Sequence, residues 1–244
     1  MFLTTTRVKR RSLAAIAAMM LLPATFGNAC GGSSGGREGR QSGTAQPEGE
    51  YSYATSGFEQ LRAAVASRHA YPRTSTVTVS PEGCGFAERW EPRPERSAEW
   101  RFCVEGARWR LAVLLDYHEF FGQPVLQRFV CRGPFVPRPP TVPVGYRWTD
   151  RCQGAGSRVT VRYRAVREQT QDVEGRPVKT VLVRARADLR GRIEGVNRLD
   201  SWLSRENGLL VRRRVRSDTS IDSPFGKVED RERYRLALRS LAAG

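Results

Sequence analysis

Histidine is nearly missing from this chain: His69 and His118 are the only two in 244 residues. A Ser-His-Asp or Cys-His catalytic arrangement would therefore have to be built on one of them. No H-E-x-x-H, no phosphate-binding G-x-x-x-x-G-K and no G-x-G-x-x-G on a strand-to-helix turn occurs, which removes the usual zinc-protease, nucleotide and dinucleotide signatures. The letters Gly31-Gly32-Ser33-Ser34-Gly35 match G-x-S-x-G, but neither a strand before them nor a helix after them is there to form a nucleophile elbow. No C-x-x-C pair is present, so a zinc knuckle is excluded. The apolar run Leu13 to Phe26 has 14 residues, fewer than the roughly 20 that a membrane-spanning helix needs. From these absences we expect no enzyme, no cofactor and no metal.

What is there begins with an export leader. Arg7, Lys9, Arg10 and Arg11 form a basic start without acidic residues, the short apolar run follows, and Gly27-Asn28-Ala29 leads into Cys30. Cleavage before Cys30 is expected, removing residues 1–29. Arg10-Arg11-Ser12-Leu13 also partly matches a twin-arginine export motif. Residues 30–49 are rich in Gly, Ser, Gln and Thr with no apolar period, and read as a disordered tether. The junction and its tether resemble a bacterial lipoprotein signal of the actinobacterial type. That resemblance implies a lipid on Cys30 and a place on the outer face of the cell membrane, whereas cleavage by an ordinary signal peptidase would leave a secreted protein.

Four further cysteines, Cys84, Cys103, Cys131 and Cys152, form an even set in an exported chain and read as two disulfides. Three connectivities are open, and the spacing favours Cys84 with Cys103 and Cys131 with Cys152, each closing a loop of about 20 residues.

After the tether, period-two alternation dominates. Strands are expected at Tyr51 to Gly57, Thr74 to Ser80, Gly85 to Trp90, Ala98 to Val104, Arg108 to Phe121 and Gln123 to Cys131, with a short helix or irregular stretch over Glu59 to His69. Residues 133–145 carry five prolines and read as a stiff connector. Beyond it, Val159, Val161 and Tyr163 alternate with Arg158, Arg162 and Arg164. Val181, Val183 and Ala185 alternate with Arg184 and Arg186, Leu209, Val211 and Val215 with Arg212, Arg214 and Arg216, and Tyr234, Leu236 and Leu238 with Arg233, Arg235 and Arg239. One dry and one wet face on successive strands indicate an antiparallel sheet. Hairpin turns are marked at Glu174-Gly175, Asn207-Gly208 and Ser223 to Gly226. The expected fold is all-β or nearly so: curved antiparallel sheet in two lobes, about 50–132 and 146–242 within a domain of 50–242, up to a half-barrel, with at most one or two short helices.

Of 41 basic residues 38 are Arg, and without residues 1–29 the chain has 37 basic against 25 acidic residues, a balance of +12. Residues 145–244 contribute +10 of it. The excess falls on the wet face, so Arg162, Arg164, Arg184, Arg186, Arg212, Arg214, Arg216, Arg233 and Arg235 are candidates for a basic face toward anionic lipid or cell-wall polymer. Export argues against nucleic acid as the partner. Asp116 and His118 would share a strand face and hydrogen-bond. Together these features point to a non-catalytic envelope binding or interaction module. An alternative rests on a second resemblance. The leader, the tether and the strand-rich half from about Arg158 to Leu241 are similar to the LolA/LppX-type lipoprotein and lipid carriers, whose concave apolar face holds acyl chains. That resemblance implies a ligand-facing set of Val161, Tyr163, Val183, Trp202, Leu209, Val211, Tyr234 and Leu236.

Overall fold

The structure, a computed structural model, describes residues 46–62, 66–120, 122–223 and 226–244. The leader, Cys30 and most of the expected tether lie outside the described residues. Among the described residues there is no helix. The first strands are β1 (Gly49–Arg62), β2 (Ala66–Ala70), β3 (Thr74–Glu82), β4 (Gly85–Arg93), β5 (Arg96–Glu105), β6 (Arg108–Phe120) and β7 (Gln123–Arg132). Then come β8 (Val136–Pro137), β9 (Arg147–Gly154), β10 (Ser157–Val173), β11 (Arg176–Gly191), β12 (Ile193–Ser204), β13 (Leu210–Ser223) and β14 (Gly226–Leu238).

Every pairing is antiparallel, and neighbours in the sheet follow the chain from β3 to β7 and from β9 to β14. β14 then pairs with β1, from Tyr53 opposite Leu238 to Arg62 opposite Glu229, and β1 pairs with β3. The sheet therefore closes into a barrel of twelve strands. The antiparallel β class is as expected, and the closure goes beyond the curved sheets or half-barrel that the pattern suggests. The two expected lobes are two arcs of one wall, since β7 pairs directly with β9 across the proline-rich segment. Local irregularities make closure possible. Register shifts at Trp90/Arg93, Arg101/Phe102, Ala165/Arg167 and Trp202/Leu203 bend and coil strands that would otherwise run flat.

The described residues between Glu59 and His69 are strand, not a short helix or irregular stretch: β1 continues to Arg62 and β2 pairs with it, Phe58 opposite Ala70. The barrel also begins earlier than the tether boundary suggests, because the Gln46 side chain is buried and donates to Glu88 Oε1 at 2.8 Å. The Glu174-Gly175 turn has φ of 52° and 76°, both positive, as the hairpin turn that suits strand twist requires.

The inside of the wall is dry at alternate positions. Trp90 and Tyr53 are fully buried, the Trp90 and Tyr234 rings stack with centroids 4.2 Å apart, and Tyr71 meets both edge-on. A second cluster gathers Leu111, Phe129, Val159, Val161 and Ile193 around the Cys131–Cys152 disulfide. Cys84 and Cys103 form the other bridge, so both pairs are those the spacing favours. Two disulfides fit an extracellular or otherwise oxidising compartment. The proline-rich segment is not a plain spacer. β8 pairs with the start of β6, Arg205 donates to the carbonyls of Pro139 and Val142, and Val142 is buried against the core.

Candidate functional site

Inside the barrel is a cavity of about 220 Å³. Its apolar part is walled by Leu111, Leu114, Phe129, Val161, Leu199 and Ile221, and Pro139 and Val142 of the proline-rich segment complete it. Three tryptophans, Trp100, Trp109 and Trp148, reach it. Polar groups from different strands converge at other points of the same cavity.

The largest polar group lies where β1, β5, β6 and β14 face inward. His118 places Nδ1 2.7 Å from Glu59 Oε1 and Nε2 3.1 Å from Asp116 Oδ2. Asp116 and His118 sit two apart on β6 and share its inner face, as their spacing indicates. Across the β1–β14 seam Glu59 stands directly opposite Glu232, with Asp230 opposite Leu61. Like charges so placed repel unless countered. Arg96 from β5 counters them, pairing with Asp116 at 2.5 Å and with Glu232 at 3.2 Å, while Arg93 pairs with Glu59 at 2.5 Å. The Tyr71 hydroxyl donates to Glu232.

These contacts set the protonation states. Burial opposes the Asp116 charge, but Arg96 and His118 outweigh it and hold the carboxyl well below its usual range. Burial and Arg96 oppose a charged His118, yet Asp116 and Glu59 raise it to about 9. Burial pushes Asp230 up to about 7, with His118 offsetting part of the rise and Glu232 and Glu59 adding to it. One Asp230 oxygen, Oδ1, has no hydrogen-bond partner although the residue is only 7% exposed. Glu59, His118 and Asp230 each bring one ligand-type atom within 4.8 Å of the other two.

Two smaller polar groups face the same interior. Glu88 and Arg213 pair at 3.2 Å, and the Arg213 guanidinium lies 4.3 Å from the centre of the Trp100 ring. Asp150, on β9, lies near the Tyr163 hydroxyl, and its Oδ1 is buried without a hydrogen-bond partner. Burial pushes Asp150 up to about 6 from 3.8. A carboxyl raised in this way favours folding below its unfolded pKa and loses that contribution as pH rises through the folded value. Asp150→Asn is therefore expected to raise stability at pH 7.5 by up to about 3 kcal/mol, with the gain falling to roughly half at pH 5, where the native carboxyl is neutral but the unfolded one is not, and vanishing only below the unfolded value of 3.8. Urea unfolding at the two pH values checks this, and an equal effect at both would refute the charge argument.

The outer wall carries the positive charge. Arg147, Arg164, Arg184, Asp200, Arg214 and Arg235 stand opposite one another in register from β9 to β14. The neighbouring row is Thr149, Arg162, Arg186, Arg198, Arg216 and Arg233. Ten arginines thus share two rows with one aspartate. Arg184 pairs with Asp200, Arg162 and Arg186 with Asp188, and Arg233 with Asp218, but no carboxylate among the described residues pairs with Arg164, Arg198, Arg216 or Arg235. A membrane barrel turns an apolar band outward, whereas this arc turns guanidinium groups to water.

The expected site residues divide clearly by position. Eight of the nine basic-face arginines lie in the two rows, while Arg212 turns onto the Trp202 ring. Arg147 and Arg198 join them, and strand parity alone marks neither. Of the ligand-facing set, Val161, Tyr163, Val183 and Tyr234 reach the cavity. Leu209, Val211 and Leu236 are packed in the core. Trp202 sits on the outer side of β12, because Ser201 and Leu203 on either side of it line the cavity, and its indole donates to Gln169. Cys30, the expected lipidation site, lies outside the described residues. The acidic members Glu59, Asp230 and Glu232 escape the sequence reading, although Asp230 and Glu232 share strand parity with Tyr234 and Leu236. No family model, curated protein or solved structure matches the chain, so geometry alone carries its functional reading.

Proposed function

We propose that this is an exported, non-catalytic binding module that takes a small, largely apolar molecule into its barrel. The cavity supports this reading: a space of about 220 Å³, apolar over much of its wall and polar where Asp116, His118 and Asp230 meet it. Interiors are close-packed as a rule, so a void of this size inside a complete wall is a feature to be explained. It exceeds the ~150 Å³ apolar cavity that accommodates benzene. It suits a single-ring or short single-chain molecule with one polar group. The acyl chains of a lipoprotein would overfill it, so the ligand class is narrower than the likeness to LolA/LppX-type carriers implies. The leader, the tether and Cys30 support attachment to the outer face of the cell membrane.

Native mass spectrometry of the protein purified from its own host is expected to show one co-purifying small molecule. Ala187 lines the cavity beside Leu189, and Ala187→Phe should fill the space, removing that molecule while the unfolding temperature stays the same or rises. A wild-type protein that carries nothing and gives no tryptophan fluorescence change with single-ring or short-chain ligands would end this reading.

The arginine rows favour a second role for the same molecule, docking onto an anionic surface. Co-sedimentation with vesicles containing phosphatidylglycerol should be strong at low salt and fall as salt rises. Arg198→Glu with Arg216→Glu should abolish it. Absence of sedimentation at low salt removes this role and leaves the cavity untouched.

A further inference from the structure

We propose that Glu59, His118 and Asp230 form a binding site for one divalent transition-metal ion, with zinc the natural probe. The three side chains come from β1, β6 and β14 and are all buried. Their chemistry, one imidazole nitrogen and two carboxylate oxygens, is that of a three-ligand site that keeps a further position open.

Three observations carry it. The first is orientation. Metal-bound imidazoles characteristically use one nitrogen on the metal and donate the other to a carboxylate. Here Asp116 holds Nε2 at 3.1 Å, and Nδ1 is directed to Glu59, the first of the other two ligands. The second is the buried Oδ1 of Asp230, which has no partner to give up and so is available to a cation. Buried carboxylate oxygens without partners are costly and need a reason. The third is charge. Four carboxylates converge here, Glu59, Asp116, Asp230 and Glu232, against two guanidinium groups, Arg93 and Arg96. The carboxylates outnumber the guanidinium groups by two, and a dication that takes the place of the His118 proton, which leaves on binding, brings the group to zero.

The rearrangement required is small. Donors around a tetrahedral ion with bonds of about 2.0–2.2 Å stand roughly 3.4 Å apart. The His118 to Glu59 contact of 2.7 Å must open slightly, and the Asp230 carboxylate must swing inward from a span of up to 4.8 Å. Arg93 remains on the other Glu59 oxygen. His118 and Asp230 also line the cavity, so the open position faces it. The site does not depend on whether an organic ligand occupies that cavity.

Calorimetric titration of zinc into the exported protein, first dialysed against a chelator, tests the site. One equivalent should bind with micromolar or tighter affinity. Asp230→Asn should weaken binding at least tenfold, Asp116→Asn should weaken it about 10–100-fold, and His69→Ala should leave it unchanged. Unfolding curves in chelator verify that each variant folds. If neither acidic variant folds, cobalt decides on the wild type: intense visible bands of a low-coordinate ion support the site, and the spectrum of the hydrated ion overturns it. No zinc binding by the wild type, undiminished binding by Asp230→Asn, or loss of binding in His69→Ala would each overturn it as well.

Discussion

Arg96→Met is expected to destabilise the protein by about 3–5 kcal/mol at neutral pH, a large share of the roughly 5–15 kcal/mol that holds a typical domain together. Arg96 is 4% exposed and its guanidinium joins Asp116 to Glu232. Methionine keeps much of the volume and removes the charge, so the loss reports electrostatics rather than a hole. The buried Glu232 and the half-buried Asp116 then lose their shared guanidinium partner, and of the two only Asp116 keeps His118 beside it. The defect should be largest at pH 7.5 and shrink toward pH 4.5, where protonation relieves it. Adding Asp116→Asn and Glu232→Gln should recover most of the stability at pH 7.5. Urea unfolding of the single and triple variants decides the matter, and a pH-independent loss would show that packing, not charge, is the cause.

Removing the Cys131–Cys152 bridge with paired alanines should cost about 3 kcal/mol through loop-closure entropy. The Cys84–Cys103 bridge closes a loop of similar length, 19 residues against 21, and its loss should cost a similar amount globally. Local effects should differ. Cys84–Cys103 lies beside the β4–β5 ladder, which is in register from Gly85 to Trp90. Cys131–Cys152 spans the junction of β7 and β9, where only Val130, Cys131 and Arg132 have partners. Amide exchange around Val130 and Gln153 should therefore accelerate by a hundredfold or so without that bridge, consistent with ~3 kcal/mol of lost protection, and should change little without the other. Equal exchange in both variants would show that the seam is held by its ladder alone.

Most strands, their wet and dry faces and the cysteine pairing were legible in the sequence because each is local, whereas β2 and β9 carry no such pattern. Val159, Val161 and Arg162 declare their sides by alternation, and Glu174-Gly175 marks its turn within two residues. Closure was not legible. It depends on Tyr53 meeting Leu238, and nothing in either stretch specifies a partner so far along the chain. Four register shifts curve the wall, and a bulge leaves no clear mark in an alternating pattern. Trp202 faces outward by ordinary alternation, between Ser201 and Leu203, which line the cavity. β12 is visible only by its Trp202 end, since Gly195, Asn197 and Asp200 are poor strand formers. The interior charges were hidden for a related reason. Asp230 and Glu232 stand in a stretch of alternating acids and arginines, where only their parity with Tyr234 shows that they turn inward.

The junction of β7 and β9 also bears on where the chain can safely fold. In a thiol-reducing cytosol the ring would rest there on three residue pairs, and a break would turn a continuous cylinder into a long ribbon with two unsatisfied borders. Backbone amides and carbonyls along such borders recruit strands from other molecules. The oxidised bridge thus guards against self-association as well as supporting the fold, and folding under reducing conditions would forfeit that protection.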